Sequence, residues 1–451
     1  MQPGSVYAQR LRLFPVTTTL QEVDGHSVLH IAGQSLVELA RTFDTPLYLY
    51  DQTTLETSLA EYRQTLVDSY PGPHGLTYAG KAFLCTGMAQ WAYQHGLLVD
   101  CTGVGEITIA LAAGLPSESI LVHGVNKSRQ DLQAAVEYAG TIVVDNLTEL
   151  EQLITIVQRS TRLSPQPFPD LWLRLRPGFA VETHAYTQTG QADSKFGTSL
   201  DQALQLARMC KQQNLPLTGL HFHLGSQFQD PAPLQSALEA VLDFVVRCHE
   251  EIGWLPTVIC PGGGWGVPYH EDQLPYPSPV SYIQFLAQSL ENGCRQRQLP
   301  LPRLHLEPGR GLVAQAGVAL YRVGTVKHSD SRCWIIVDGG MADNLRPALY
   351  GARYTALPVR DVEREPCGPV WLGGPYCESG DILIESLAMP ELFPGELVAI
   401  PVSGAYHLSM ASNYNGAMRP AVLWLDANGA HLIQERETPD RLVYRDRPLP
   451  T

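Results

Sequence analysis

The chain has 451 residues, 44% hydrophobic and 17% charged, which excludes a disordered or fibrous architecture and is long enough for two domains rather than one core. With 31 Lys and Arg against 45 Asp and Glu, the net charge of -14 offers little to a nucleic-acid backbone, so a small molecule is the expected partner. The nine cysteines make no C-x-x-C pair, Cys85, Cys101, Cys260 and Cys333 sit in apolar runs as buried thiols do, and no apolar run approaches the roughly 18–20 residues of a membrane span. The N-terminus also lacks a signal-peptide core, so a reduced, cytoplasmic protein with no membrane partner is expected.

In chain order, segment 1–45 is strand-like in places and is expected to join a later β domain, although periodicity alone does not decide this. From Tyr48 onward, short aliphatic runs alternate with helical stretches, the pattern of βα units on a parallel sheet. The strand candidates are Leu76–Ala79, Leu97–Asp100, Ile120–His123, Thr141–Asp145, Leu171–Arg176, Leu217–His223, Thr257–Cys260 and Arg303–Glu307. Amphipathic segments such as Leu200–Gln213 and Gln235–Ile252 lie between them. Eight units predict an α/β fold, a closed (β/α)8 TIM-type barrel over 46–314. After about Ala314 the helical period fades, and YRVGTV, CWIIVD, PVWLG, DILIE, ELVAIPV, AVLWLD and AHLIQ predict an all-β domain over 315–451.

Chemistry in such a barrel collects at the C-terminal ends of the strands, and the unusual residues fall there. The first strand ends in TYAGKAF, where burial of Lys81 would lower its pKa and free an amine nucleophile; a solvated rim lysine is the commoner alternative. The sixth ends in HFHLGSQ, whose alternation puts His221 and His223 on one face with Ser226 at the mouth. No Asp/Glu/His set at ligand spacing accompanies that pair, so no metal is expected. The seventh opens into PGGGWG, where Gly262, Gly263 and Gly264 let backbone N–H groups approach an anion; a tight turn uses the same residues. The eighth ends in HLEPGRGLV, which presents Glu307 and Arg310 on a turn fixed by Pro308 and Gly309.

The β region carries DGGMADNLRPALYG, GPYCESGD and SGAYHLSMASNYN, none of them ordinary hairpin sequence. Cys377 sits between Tyr376 and Glu378 in a Gly/Pro-bounded loop, an unusual setting for a merely buried thiol. Arg346 and Tyr350 are four apart and face one way if helical, giving a guanidinium fork for a carboxylate with a phenol beside it.

Taken in order, YAGKAF, HFHLGSQ, GGGWG, EPGR, DGGMADNLRPALY, GPYCESGD and GAYHLSMASNYN resemble the fold-type III pyridoxal-phosphate decarboxylases, and specifically the diaminopimelate decarboxylase branch. VETHAYTQTGQADSKFG resembles it too, and the match spans nearly the whole chain. Gly80 stands where a small polar residue is more usual, and CTGVGE replaces a serine-and-glycine stretch before Glu106. The resemblance implies pyridoxal phosphate as cofactor, linked to Lys81, with His223 stacked on the ring and Glu307 facing the pyridine nitrogen. It implies that Ser226, Gly263, Gly264, Gly309, Arg310 and Tyr406 hold the phosphate and that Cys377 returns a proton to the substrate carbon. Arg310, Arg346, Tyr350, Glu378 and Tyr406 would bind an amino-acid substrate. In that family the cysteine loop crosses from a neighbouring subunit, so a homodimer with shared active sites is implied. The implied reaction is decarboxylation of meso-diaminopimelate to L-lysine; the alternatives are another basic amino acid (ornithine, arginine or a carboxylated polyamine), racemization, or a catalytically silent regulatory homologue.

Overall fold

A computed structural model describes residues 6–159, 167–179, 181, 184, 188–191 and 193–450. The motif VETHAYTQTGQADSKFG lies partly outside the described residues, at 182–183, 185–187 and 192. The chain divides into two compact units: Ala60–Gly266 with Pro277–Gly311, and Met1–Leu59 with Val267–Tyr276 and Leu312–Thr451.

The first unit is a closed barrel of eight parallel strands, His74–Ala79, Leu98–Cys101, Ile120–Val122, Thr141–Val144, Asp170–Arg174, Leu217–His221, Val258–Gly262 and Arg303–Leu306. Each lies within a residue or two of its expected position, because a parallel strand covered on both faces is written as a continuous apolar run. The eighth strand returns to the first, with Leu304 opposite His74 and Leu306 opposite Leu76. Leu121, Val143, Trp172, Val258 and Cys260 pack together as one apolar cluster of barrel-strand residues. Local signals start and stop the helices. Ser199 and Gln202 form a capping box on Leu200–Gln212, Ser128 and Asp131 form one on Arg129–Tyr138, and Gly253 ends Ala232–Ile252 in the left-handed region.

The second unit is mostly sheet. Its strands run Ile382–Met389, Gly368–Gly373, Cys333–Val337, Gly317–His328, Leu47–Asp51, Ala421–Asp426 and Gly429–Gln434, with Leu397–Ile400 also pairing to the long strand. Gly317–His328 organises it: its first half pairs with Leu47–Asp51 and Leu397–Ile400, its second half with Cys333–Val337. Leu47–Asp51 lies inside the stretch 46–314 expected to form the barrel, yet it pairs antiparallel with Gly317–Leu320 and parallel with Ala421–Leu425. Because helix Gln52–Ser69 follows it directly, the local sequence is that of a βα unit, and only its distant partners distinguish the two sheets. Tyr7, Phe14, Val28, Leu29 and Ile31 from the N-terminal segment share one core with Leu47, Val318, Leu320 and Leu423.

Leu320 is fully buried in that core, whereas Leu449 is 88% exposed. Leu320→Ala is expected to cost about 2–5 kcal/mol and Leu449→Ala less than about 0.5 kcal/mol. Urea unfolding midpoints followed by circular dichroism would check the contrast, and equal effects would contradict this core.

Candidate active site

The site begins with a buried acid. Glu307 follows the eighth barrel strand and is 7% exposed, which on its own would push its pKa up. Two imidazoles reverse that outcome: His123 Nε2 lies 2.9 Å from its Oε1 and His221 Nε2 lies 3.0 Å from its Oε2. Together they hold the carboxyl well below the usual range, so the group is an anion. Burial lowers His221 from 6.5 to about 4, which keeps its ring neutral with the proton on Nε2, toward Glu307. Each carboxylate oxygen accepts one N–H and retains a lone pair for a further donor.

His123 directly follows the third strand and is absent from the residues singled out in the sequence. Its only signal was a polar residue closing the apolar run ILVH at the catalytic end of a strand. Although no ligand spacing for a metal shows in the sequence, the tertiary structure does bring a His/His/Glu set together, with ligand atoms within 4.8 Å of one another. Both contacts nonetheless have hydrogen-bond lengths, and a cation bound by all three would require each proton on Nε2 to move to the other ring nitrogen.

Around Glu307 the glycine loop closes tightly. The Glu307 N–H donates to Gly262 O at 3.0 Å, and a Cβ on Gly263 would stand 2.3 Å from Glu307 O. Gly264, at φ +101°, has Gly225 O 2.0 Å from where a Cβ would be. Only glycine fits either position, and the result is a wall of bare backbone at the barrel mouth. Arg310 Nη2 donates to Ser226 Oγ at 3.0 Å, which brings a guanidinium and a hydroxyl from the eighth and sixth strand ends together. Arg310 is buried, and both carboxylate oxygens of Glu307 are engaged by histidines.

His223 is held by Thr189, whose hydroxyl donates to His223 O at 2.7 Å and accepts from Nδ1 at 2.9 Å. Burial, then the nearby Lys81 charge, lowers this ring well below 6.5, so it is a neutral imidazole protonated on Nδ1. Lys81 lies in a single turn, Gly80–Ala82, just after the first strand. It is exposed, whereas the sequence reading expects it to be buried. The unusual Gly80 has a physical reason: a Cβ there would meet Asp100 O at 2.4 Å. Gly309 is packed against Ala79 and Ala82, with Ala79 N donating to Pro308 O at 3.1 Å, which ties the Glu307 turn to the lysine turn.

The remaining expected residues belong to the sheet unit. Arg346 opens the short helix Arg346–Tyr350 and is buried, its guanidinium 4.4 Å over the Tyr269 ring. The phenol hydrogen-bonded to it is Tyr354, eight residues on, rather than the expected neighbour at Tyr350, which is half-buried. Among the described residues no carboxylate pairs with Arg346, and its buried Nε has no hydrogen-bond acceptor there. Cys377 and Glu378 are exposed; the Cys377 N–H donates to Asn415 Oδ1 at 2.8 Å. Asp381 fixes the same loop, accepting from Tyr376 N at 2.9 Å and from Met341 N at 2.6 Å. Tyr406 is half-buried at φ +62°. Cys333, expected buried with Cys85, Cys101 and Cys260, is only partly so.

Between pH 6.5 and about 4 the unfolded chain takes up a proton that folded His221 refuses, so stability falls as pH falls through that window. His221→Gln retains a donor to Glu307 without this titration. Thermal unfolding of the variant is expected to depend less on pH over this range, and an unchanged slope would contradict a neutral His221.

Known proteins show the same arrangement of chain and fold. Residues 55–314 match the family described as pyridoxal-dependent decarboxylase, pyridoxal binding domain. A diaminopimelate decarboxylase of Halalkalibacterium halodurans is 37% identical over 432 residues, 95% of this chain and 97% of that protein. Its counterpart from Bacillus subtilis is 36% identical over 439 residues, covering 96% and 98%. The crystal structure of diaminopimelate decarboxylase from M. jannaschii in co-complex with L-lysine superposes with a TM-score of 0.85 at 28% identity, covering 96% of this chain and 99% of that one.

Proposed function

The chain belongs to the pyridoxal-dependent decarboxylases, within the diaminopimelate decarboxylase family, and from that premise we propose that it decarboxylates meso-2,6-diaminopimelate to L-lysine and carbon dioxide. The observation that carries this reading is the ionised, doubly hydrogen-bonded Glu307 beside a glycine-walled loop and Lys81. These residues fit pyridoxal phosphate. Bare backbone at Gly263, Gly264 and Gly309, with Ser226 and Arg310, suits a phosphate, while the free lone pairs of Glu307 suit a protonated ring nitrogen. When bound, this cofactor supplies an aldehyde that links to amines and a ring that accepts the electron pair left by departing carbon dioxide.

Each residue then has a defined task. Lys81 would hold the cofactor through its side-chain amine. Glu307 keeps a proton on the ring nitrogen, and His123 and His221 keep Glu307 charged so that it can. His223, neutral and held by Thr189, would pack on the ring. Tyr406 joins the phosphate and substrate contacts. Cys377 donates a proton to the substrate α-carbon, and its exposure on a loop pinned by Asn415 and Asp381 supports that role.

Diaminopimelate carries a second amino-acid head, and recognising it needs a cation and an anion. The buried guanidinium of Arg346 supports the assignment of the distal carboxylate to Arg346, with Arg310 and Tyr350 contributing and Glu378 taking the distal ammonium. The reading extends to a homodimer with shared active sites, and to a cytoplasmic setting, which the nine free cysteines support. No described helix is long and apolar enough to cross a membrane.

Purified enzyme with added cofactor is expected to release lysine and carbon dioxide from meso-diaminopimelate but not to turn over ornithine or arginine. Lys81→Ala should reduce release to background, and Cys377→Ala should lower kcat by about 10²–10⁴-fold. Turnover of a control substrate would move the assignment to another basic amino acid, and a fully active monomer would overturn the shared-site dimer.

A further inference from the structure

Arg346 does not stand alone in the sheet unit. Its Nη1 hydrogen-bonds the Tyr354 hydroxyl, which lies 2.8 Å from His407 Nε2; His407 Nδ1 lies 3.2 Å from the Tyr48 hydroxyl, itself 3.0 Å from Asp343 Oδ2. Tyr48, Tyr354 and His407 are each at most 1% exposed, and Asp343 is 3% exposed, so water does not interrupt the sequence of contacts. The protons can be assigned in one direction. Asp343 accepts from Gly340 N and Tyr321 Oη, and burial raises it only to about 6, so at neutral pH it is a carboxylate that needs the Tyr48 proton. With that proton committed, a neutral His407 donates from Nδ1 and accepts at Nε2. Tyr354 therefore donates to His407, and its oxygen lone pairs face the Arg346 N–H. The opposite polarity would set the Tyr48 oxygen against a carboxylate oxygen at 3.0 Å with no proton between them.

A guanidinium has two orientational freedoms to fix. Stacking at 4.4 Å on Tyr269 sets its plane, and the Tyr354 oxygen sets its rotation within that plane. The fork edge not facing Tyr354 then has one direction. Asp343 lies in a turn whose Asn344 N donates to Gly340 O at 2.8 Å, three residues before Arg346 opens its helix, so a short stretch of backbone joins the two ends of the side-chain chain.

We propose that the buried chain Asp343–Tyr48–His407–Tyr354 orients the Arg346 guanidinium, making His407 a positioning residue for recognition of the substrate's distal carboxylate. The proposal rests on the reading that Arg346 takes that carboxylate. A mispointed fork weakens binding while the decarboxylation chemistry proceeds, so the effect belongs in KM.

The test is steady-state decarboxylation of meso-diaminopimelate by cofactor-loaded His407→Phe, Arg346→Ala and the double variant, with cofactor absorbance recorded for each. His407→Phe is expected to raise KM about ten-fold with kcat within about three-fold, and to change KM by less than about two-fold when added to Arg346→Ala. If Arg346→Ala raises KM but His407→Phe does not, or the two effects simply add, the positioning role is wrong while the carboxylate assignment stands. If Arg346→Ala leaves KM unchanged, both fall. Should His407→Phe fail to fold, Tyr48→Phe removes a single oxygen from the chain and is expected to raise KM about three-fold. No rise in that variant overturns the proposal.

Discussion

A carboxylate inside a barrel is costly unless donors meet it, and the placement of Glu307 makes that requirement the constraint on which the catalytic end of the barrel depends. Its two donors come from the third and sixth strands, while Glu307 itself follows the eighth, and none of these three strands neighbours another. They converge only because the sheet closes. Closure here is therefore the condition for an ionised acid as well as an economy of edges. His221 serves as a neutral donor, which leaves the negative charge on the acid and available to a protonated partner.

The glycines follow from the same geometry. With Glu307 N bound to Gly262 O and Glu307 O 2.3 Å from a Cβ position on Gly263, the seventh and eighth strand ends lie too close for any side chain. The same closeness that carries the acid to the mouth strips the adjoining loop to bare N–H groups, which is what an anion needs. Gly309 against Ala79 and Ala82 extends this packing to the turn that carries Lys81.

The sheet unit meets the opposite problem, a buried cation. Arg346 is flanked by aromatic rings and a phenol instead of a carboxylate among the described residues, an arrangement that satisfies the plane of the guanidinium without neutralising it. Its nearest buried acid, along the polar chain, is Asp343, three side chains away, close enough to order protons and too far to form an ion pair. A guanidinium oriented without being neutralised is suited to receiving an anion from outside.

The sequence by itself determined the barrel, the β region and the order of the glycine, EPGR and CESGD motifs. Strands buried on both faces must be apolar throughout, and crowded turns must be glycine, so these constraints are written locally. It did not determine that Leu47–Asp51 belongs to the sheet, because an apolar strand before a helix reads the same in either setting until its partners at Gly317–Leu320 and Ala421–Leu425 are known. Nor did it reveal His123, His407 or Tyr354. Each is a single polar residue whose meaning is a partner 53 to 359 residues away, or 8 residues away across a turn that helical spacing does not anticipate. Tertiary structure decided those pairings because hydrogen bonds between distant side chains depend on where strands end in space, and no local period records that.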